Sequence, residues 1–338
     1  MIAFGQAFAY TWSGMYGPLE TIGAGNGILI ILQLTAASVI TMLLDDIMTK
    51  GYGLGNSGTS LFIAINMAET VMWSCFSPIS YKLGEGASEQ YEGSIIELLY
   101  GVVFRSQRLG AIQNAFFRSE LSNISNLLAT ALVFLIVIFF QGFHVNLRLA
   151  NNKSSTETPY SIRLFYTSNI PIILQTALVS NLYFFSQMLY RNFKGTFVTN
   201  LFGNWQEAGA QGQLVPVGGI IYYITSPRTL IDALRDPIHT VIYVLFIVGT
   251  CAVFSRTWIE ISGQGPKEVA SKLKQDGMFL KGHTNEGTYK KLKQLIMTAA
   301  TLGGICIGLL TIFADFLGAI GSGTGILLTV NIIYGLYE

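Results

Sequence analysis

Long apolar runs alternate with polar stretches along this chain of 338 residues. Two of the clearest runs are LLATALVFLIVIFF at 127–140 and VIYVLFIVGTCAVF at 241–254. With their flanks, each approaches the roughly 20 apolar residues that an α-helix needs to cross a bilayer. A single run of this kind fits a buried helix in a soluble protein, whereas a series of them does not. The pattern predicts eight apolar helices, near 1–14, 26–48, 59–76, 124–143, 170–190, 238–256, 296–313 and 321–336.

Three long polar stretches separate some of these helices, at 77–123, 191–237 and 257–295. The last is charged and helix-prone, and within the second, residues 213–227 are mixed enough to predict a short, partly embedded element. If the first helix leaves the cytosol, a modest excess of Lys and Arg falls on the cytosolic side, mostly from 257–295. The fold class is therefore an all-α, polytopic membrane protein.

Composition agrees with a membrane protein and gives little support to an enzyme. The chain is 51% hydrophobic and 12% charged, and soluble domains carry about twice that charged fraction. A net charge of +1 gives no global field that would attract nucleic acid. His144, His239 and His283 have no second ligand at metal spacing. The three cysteines, Cys75, Cys251 and Cys306, lie in apolar helices, so we interpret them as small packing residues.

An internal repeat links the third and the eighth helix. The third opens with Ser57-Gly58-Thr59, continuing to Asn66, and the eighth opens with Ser322-Gly323-Thr324, continuing to Asn331. The apolar positions between these polar residues also match in kind. The two starts are five spans apart, and an odd number places them on opposite sides of the membrane. Inverted repeats of this kind build transporters and channels, with the path at the interface between the halves.

Several polar residues interrupt the apolar helices. Asn66 and Glu69 lie in the third, and the fifth contains Gln175, Thr176, Ser180 and Asn181. Because an unpartnered polar group in hydrocarbon is costly, these side chains should meet other helices or a wet cavity.

Six motifs together resemble the SecY family, in its eukaryotic endoplasmic-reticulum branch. They are MLLDDIMTKGYGLG (42–55), EGSIIELLYGVVFRSQRLGAIQNAFFR (92–118), LFYTSNIPIILQTALVSN (164–181), PVGGIIYYI (216–224), CAVFSRTWIEISG (251–263) and ADFLGAIGSGTGILL (314–328). The resemblance covers nearly the whole chain and implies ten helices in two pseudo-symmetric halves around an hourglass pore. This chain corresponds to helices three to ten, so we expect an N-terminally truncated sequence. The halves would be 1–123 and 124–338.

The resemblance also implies a function without enzymatic activity and without cofactors. Unfolded polypeptide would cross the membrane through a ring of apolar side chains, and transmembrane segments would leave sideways through a lateral gate. Matched by motif, the ring positions are Ile63, Met67, Ile173 and Leu328. The gate positions are Gln6, Thr176 and Asn181.

The resemblance also implies binding partners. They are small β and γ subunits, of which γ is SecE-like, the ribosome, the nascent polypeptide with its signal sequence, and membrane lipid. The location implied is the endoplasmic-reticulum membrane. The ribosome would dock on the loops at 147–168 and 257–295, where the candidates are Lys272, Lys274, Lys290, Lys291 and Lys293. The family's arginines in these loops are replaced here, near Ser154 and Thr284.

Two other hypotheses stay open on the sequence alone. A secondary transporter of small solutes is also built from inverted repeats, and Glu69 is a charge deep in a span, although transporters usually carry more of them. Alternatively, a chain without the first two helices of the family does not function by itself.

Overall fold

The computed structural model describes residues 2–12, 16, 22–48, 50, 58–81, 90–104, 108–118, 121–151, 157–167, 170–192, 197–208, 213–227, 230–275, 277–280, 285–321 and 323–337. The helices are α1 (Ile2–Trp12), α2 (Ala24–Ile47), α3 (Gly58–Phe76), α4 (Ser94–Phe104), α5 (Arg108–Phe117), α6 (Ile124–Gln141), α7 (Ile170–Asn192), α8 (Phe197–Phe202), α9 (Ile220–Ile224), α10 (Leu230–Arg235), α11 (Pro237–Ile261), α12 (Pro266–Gln275), α13 (Asn285–Phe316) and α14 (Gly323–Tyr337). The strands are β1 (Ser80–Tyr81), β2 (Gln90–Tyr91), β3 (His144–Asn151), β4 (Glu157–Arg163), β5 (Asn204–Ala208), β6 (Gln213–Gly218) and β7 (Met278–Leu280).

All eight predicted apolar helices are confirmed, as α1, α2, α3, α6, α7, α11, α13 and α14. Five of them are long and apolar enough to cross a membrane by length and composition: α2, α6, α7, α13 and the run that α11 begins. The repeated helices α3 and α14 begin at the equivalent glycines, Gly58 and Gly323. The pattern in the repeat therefore marks the same structural position twice.

Helix α13 begins at Asn285, whereas the apolar pattern predicts a start near 296. Its first turns carry lysines, which hide the helix from a hydropathy scan. One face is nevertheless apolar, because Leu292, Ile296 and Ala300 are spaced four residues apart and are fully buried. Burial of that face stabilises the helix well beyond its apolar run.

A three-stranded antiparallel sheet, in the order β4-β3-β7, was not predicted. Strands β3 and β4 pair from His144 with Arg163 to Ala150 with Glu157, and β3 also pairs with β7, which places Leu149 opposite Leu280. The sheet, the end of α11, α12 and the start of α13 enclose one apolar core; we call this group the sheet module. Its buried members are Leu149, Ile162, Ile259, Leu273, Leu292, Ile296 and Ala300.

The predicted short element at 213–227 is also present. Strand β6 pairs with β5, and α9 follows it with Ile221 fully buried. Gly219, between the strand and the helix, has φ 85°, and a Cβ there would lie 2.7 Å from the Cα of Gly203. A side chain at this position would therefore meet both strain and a backbone clash.

Helices α11 and α13 pack with their backbones close together. A Cβ on Gly304 would lie 2.8 Å from the carbonyl oxygen of Cys251, and a Cβ on Gly308 would lie 3.1 Å from the Cα of Val248. Small residues at a helix contact allow this approach, which is common between helices in membranes. Cys251 is a buried free thiol in this contact, as its interpretation as a packing residue predicts.

Packing divides the chain into two compact units. One comprises Met1–Ile65, Asn181–Tyr222 and Gly335–Glu338, and the other comprises Asn66–Ser180 and Tyr223–Tyr334. The division into repeat halves at 1–123 and 124–338 concerns ancestry and pseudo-symmetry, and it stays a prediction.

Candidate functional site

Two of the four candidate ring residues, Met67 and Leu328, are buried at 7% exposure each. Met67 on α3 lies against the turn before α14, where a Cβ on Gly321 would come 2.5 Å from the Met67 Sδ atom. Gly321 has φ 82°, so glycine suits this position both for its conformation and for the contact. Met67 is thereby held beside the start of the helix that carries Leu328.

The other two candidate ring residues are more accessible. Ile173 on α7 is 41% exposed although its neighbour Ile172 is buried, and Ile63 on α3 is half-buried. Ile173 belongs to the same compact unit as Met67 and Leu328, whereas Ile63 belongs to the other. Ile172 fixes this turn of α7 against its neighbours, and the exposed Ile173 side chain beside it is available to line an open space.

The start of α14 is fixed by a carboxylate. Asp315 accepts a hydrogen bond at Oδ1 from the Gly323 N–H, at 2.8 Å, and one at Oδ2 from the Tyr243 hydroxyl, at 3.0 Å. The first bond satisfies one of the backbone donors that every helix start leaves unpaired. The Ile320 N–H donates to the Thr130 hydroxyl at 2.9 Å, which ties the preceding turn to α6. The helix that carries Leu328 is therefore anchored to three others, α6, α11 and α13.

Asn331 is the repeat counterpart of Asn66, and the two lie in different surroundings. Asn66 is exposed on α3, as is Glu69. Asn331 is 9% exposed, and neither its side-chain nitrogen nor its oxygen has a hydrogen-bond partner among the described residues. An unsatisfied buried amide costs about 1–3 kcal/mol. The sequence predicts that polar side chains in the apolar helices contact other helices or a wet cavity. Among the described residues, the Asn331 side chain has no such hydrogen-bond partner.

The candidate gate residue Gln6 lies on α1 where that helix contacts α7. The Gln6 Nε2 donates to the Tyr10 hydroxyl at 2.9 Å, and the Tyr10 ring packs edge-on against Phe184, with centroids 4.9 Å apart. Tyr10 is four residues from Gln6, and Phe184 is three residues from Asn181, so each pair shares one helix face. Gln6 and Asn181 therefore belong to the two faces that this aromatic contact brings together.

The remaining gate candidates are exposed. The Thr176 hydroxyl donates to its own helix, at the Ile172 carbonyl oxygen, at 2.8 Å, and Asn181 is exposed. Tyr10 and Phe184 were not among the residues predicted for the site. The signal that could have found them is an aromatic residue one helical turn from each polar candidate.

The five candidate lysines all lie on the outside of the sheet module. Strand pairing between β3 and β7 joins the two predicted cytosolic loops, which are far apart in sequence. Lys272 and Lys274 flank the buried Leu273 on α12. Lys290, Lys291 and Lys293 surround the buried Leu292 on α13, and all five lysine side chains are exposed. Ser154 and Thr284, where the family arginines are replaced, lie outside the described residues.

A cavity of about 630 Å³ opens in the sheet module between the hairpin and α12. Its walls include Tyr160, Tyr166, Met278, Glu268 and Lys272. The Tyr166 hydroxyl donates to the Gln264 carbonyl oxygen at 3.1 Å. Burial, with a smaller contribution from Tyr160, raises the pKa of Tyr166 to about 12. The phenol is therefore neutral at physiological pH and acts here as a hydrogen-bond donor.

The described part of the chain contains no group of three or more His, Cys, Asp or Glu side chains that could hold a metal ion. His239 instead bonds through Nε2 to the Thr225 carbonyl oxygen at 2.9 Å, and His144 through Nδ1 to that of Gly142 at 2.9 Å. These histidines have structural partners.

Comparison with known proteins identifies relatives along the whole chain. The SecY family model matches residues 1–337. The Sec61 subunit alpha of Dictyostelium discoideum, a protein transport protein, is 50% identical over 339 residues, which is 100% of this chain and 71% of the relative. A solved SecY, described with a plug domain that stabilises the closed translocation channel, matches with a TM-score of 0.76 at 30% identity, over 100% of this chain and 70% of its own. Sec61 of the canine ribosome–channel complex from the endoplasmic reticulum matches with a TM-score of 0.72 at 28% identity, over 100% and 69%.

Proposed function

Since the chain belongs to the SecY family, we propose that it is the pore-forming subunit of a protein-conducting channel in the endoplasmic-reticulum membrane. The observation that carries this function is similarity over the full chain to a Sec61 subunit alpha at 50% identity. The relatives are transport channels, and we propose further that this chain has no enzymatic activity of its own. The transporter of small solutes suggested by the repeat has no counterpart among these relatives.

The proposed pore is sealed by apolar side chains. Ile63, Met67, Ile173 and Leu328 would form a constriction that excludes water and ions by dewetting. Apolar contacts are non-directional, so such a ring accommodates any passing sequence. The accessible Ile173 side chain and the anchored start of α14 support this assignment.

Photo-crosslinking tests the pore assignment. A photoreactive amino acid at position 173 in the assembled channel should crosslink to a stalled nascent chain. Leu135 on the apolar helix α6 is 65% exposed and is not among the proposed ring positions, so the same photoreactive group there is the matched control. Equal crosslinking from the two positions, or none from 173, would contradict the pore assignment.

The contact between α1 and α7 is the proposed lateral gate. A hydrophobic signal sequence that replaces the polar and aromatic contacts around Gln6, Tyr10 and Asn181 would favour the open state, because a ligand shifts an equilibrium by its differential affinity. The ring contact between Tyr10 and Phe184, at 4.9 Å, supports a closed seam at this position.

Translocation of weak signal sequences tests the gate. We expect Gln6→Leu combined with Asn181→Leu to change the hydrophobicity that a signal sequence needs. The matched control is Gln33→Leu on α2, an exposed glutamine outside the seam. An unchanged threshold in the double variant would refute the assignment of these residues to the gate.

The sheet module is the proposed ribosome-docking surface, with nascent chains entering beside it and small β and γ subunits completing the channel. Five exposed lysines on one folded unit would contact ribosomal RNA phosphates, and binding should weaken with salt. Replacing Lys290, Lys291 and Lys293 by Glu should lower affinity and flatten the salt dependence. Lys50→Glu is the control: Lys50 is exposed just beyond the end of α2, and the substitution reverses one charge in the same way. Equal salt slopes for the triple variant and the unmodified channel would exclude this surface.

A further inference from the structure

Helix α4 has its polar side chains inside and its apolar side chains outside. Ser94, Glu97 and Gly101 are buried at spacings of three and four residues, on one face of the helix. The opposite face exposes Leu99 and Val103, and Phe104, the last residue of the helix, is 72% exposed. A helix on the surface of a water-soluble domain shows the reverse arrangement.

The inward polar groups of α4 have partners in the protein. The Ser94 hydroxyl donates to the Ser74 carbonyl oxygen at 3.2 Å, and the Glu97 carboxylate accepts from the Tyr91 N–H at 2.9 Å. Hydrogen bonding thus explains why the polar face turns inward. The apolar face is left outward, in contact with whatever surrounds this part of the molecule.

Helix α5 packs on α4 and continues this outward apolar surface. A Cβ on Gly101 would lie 2.9 Å from the Cβ of Ala111, so the two helices are in close contact. Leu109 is 85% exposed and Phe117 is 77% exposed. Gln113, between them, is also exposed. An outer face that mixes large apolar and uncharged polar residues suits the boundary between headgroups and hydrocarbon.

Both helices are attached at the ends of apolar helices, the shorter α3 and the candidate span α6. The Gly93 N–H donates to the Ser77 carbonyl oxygen at 3.2 Å, just beyond the end of α3. The Ser125 hydroxyl, in the first turn of α6, donates to the Phe116 carbonyl oxygen at 2.8 Å. The pair formed by α4 and α5, which we call the α4–α5 pair, is therefore fixed at the level where α3 and α6 reach the bilayer surface.

We propose that the α4–α5 pair is embedded in the bilayer boundary, with lipid acyl chains covering Leu99, Val103, Phe104, Leu109 and Phe117. An apolar helix face of this kind penetrates about 5–10 Å below the headgroups. The polar stretch at 77–123 thus contains a membrane-associated element in addition to the eight predicted helices. This inference depends on the chain lying in a membrane and is independent of what the pore conducts.

Depth measurement by spin labelling tests the inference. Single nitroxide labels are placed at Phe104→Cys, Leu109→Cys and, as a control on the same pair, Gln113→Cys in the full chain, reconstituted in phosphatidylcholine vesicles. Lys272→Cys in the sheet module is the aqueous reference. At 104 and 109 we expect accessibility to a water-soluble nickel relaxant to be several-fold lower, and to oxygen several-fold higher, than at 272. Position 113 should lie between these values.

Two results would overturn the proposal. Labels at 104 and 109 as accessible to nickel as the label at 272 would show that the surface faces water. Protection that appears only after soluble lumenal proteins are added would show that a protein covers it. Should the labelled variants denature, Val103→Asp and Gln113→Asp provide a second test in the same vesicles. The proposal requires a larger fall in the thermal midpoint for Val103→Asp than for Gln113→Asp, and equal midpoints would refute it.

Discussion

The sheet module and the α4–α5 pair are built with opposite polarity. The sheet module buries Leu149, Leu292 and Ile296 and presents lysines. The α4–α5 pair buries Ser94 and Glu97 and presents Phe104 and Leu109. Both are compact, and in the α4–α5 pair the buried Ser94 and Glu97 side chains have hydrogen-bond partners. The difference indicates that one chain is folded for two solvents, and that the outward face of each region identifies the solvent it meets.

Truncating one leucine in each region should give the largest contrast. Leu292→Ala leaves a cavity at a fully buried position and should lower the free energy of unfolding by about 3 kcal/mol. Leu109→Ala removes an exposed side chain and should cost less than about 0.5 kcal/mol in detergent. Denaturant titration of the purified protein in mild detergent measures both. Equal losses of unfolding free energy in the two variants would contradict the difference between the two regions.

Arg118 organises the polar interior of the α4–α5 pair. Its guanidinium donates to the carbonyl oxygens of Ser122, Tyr91 and Glu92 at 2.6, 2.6 and 2.7 Å. Burial lowers the pKa of Arg118, and Glu97 and Glu92 oppose that shift. Arg118→Gln should therefore cost about 2 kcal/mol, because charged hydrogen bonds are lost and their partners stay buried.

Hydrogen exchange provides the readout for Arg118→Gln. Backbone amides between 90 and 118 should exchange faster, while those of the sheet module should not change. The control is Arg148→Gln, the same substitution at an exposed position on β3. Faster amide exchange across the whole molecule in the Arg118 variant would contradict a role confined to the α4–α5 pair.

Replacing Asn331 should stabilise the protein, by a smaller amount. Its buried amide has no partner among the described residues, so Asn331→Leu should raise the free energy of unfolding by about 1 kcal/mol. Asn66→Leu, at the exposed counterpart in the repeat, should have little effect. A loss of stability in the Asn331 variant would show that this amide binds a partner in the assembled channel.

The smallest effect concerns alkaline pH and the sheet module alone. The pKa of Tyr166 is raised to about 12 in the folded state, because burial disfavours the phenolate. Its contribution to stability is therefore complete below pH about 10, the pKa of an unperturbed tyrosine, and is lost as the pH rises towards 12. Thermal midpoints measured across this window should fall less steeply for Tyr166→Phe. Identical slopes would contradict the shift.

The spans could be predicted from the sequence because a bilayer imposes a long apolar run on each of them. The repeat likewise located the starts of α3 and α14 at Gly58 and Gly323. Hydropathy could not identify the basic start of α13, because only about one residue in four of this segment is apolar and buried. The alternation of Val145, Leu147 and Leu149 with polar residues was a visible strand signal, but the pairing of β3 with β7 is a long-range contact that no local pattern contains.

The candidate site was predicted less completely than the spans. The ring and gate residues came from the resemblance, and from spacing alone they would be ordinary core or lipid-facing positions. The contact between Tyr10 and Phe184 depends on how α1 meets α7. The burial of the polar face of α4 depends on the position of Arg118 and its hydrogen-bond partners. Tertiary packing decides the Tyr10–Phe184 contact and the orientation of α4.

The pairing of β3 with β7 has a consequence for biosynthesis. Leu149 lies opposite Leu280, so the ribosome must make α7 and α11 before the third strand exists. At about 5–20 residues per second, the β3–β4 hairpin waits for roughly ten seconds with an unpaired edge. An open strand edge of this kind can join another chain. The nascent molecule therefore passes through an interval in which this hairpin is its most vulnerable part, and slower translation between α7 and β7 should increase misassembly.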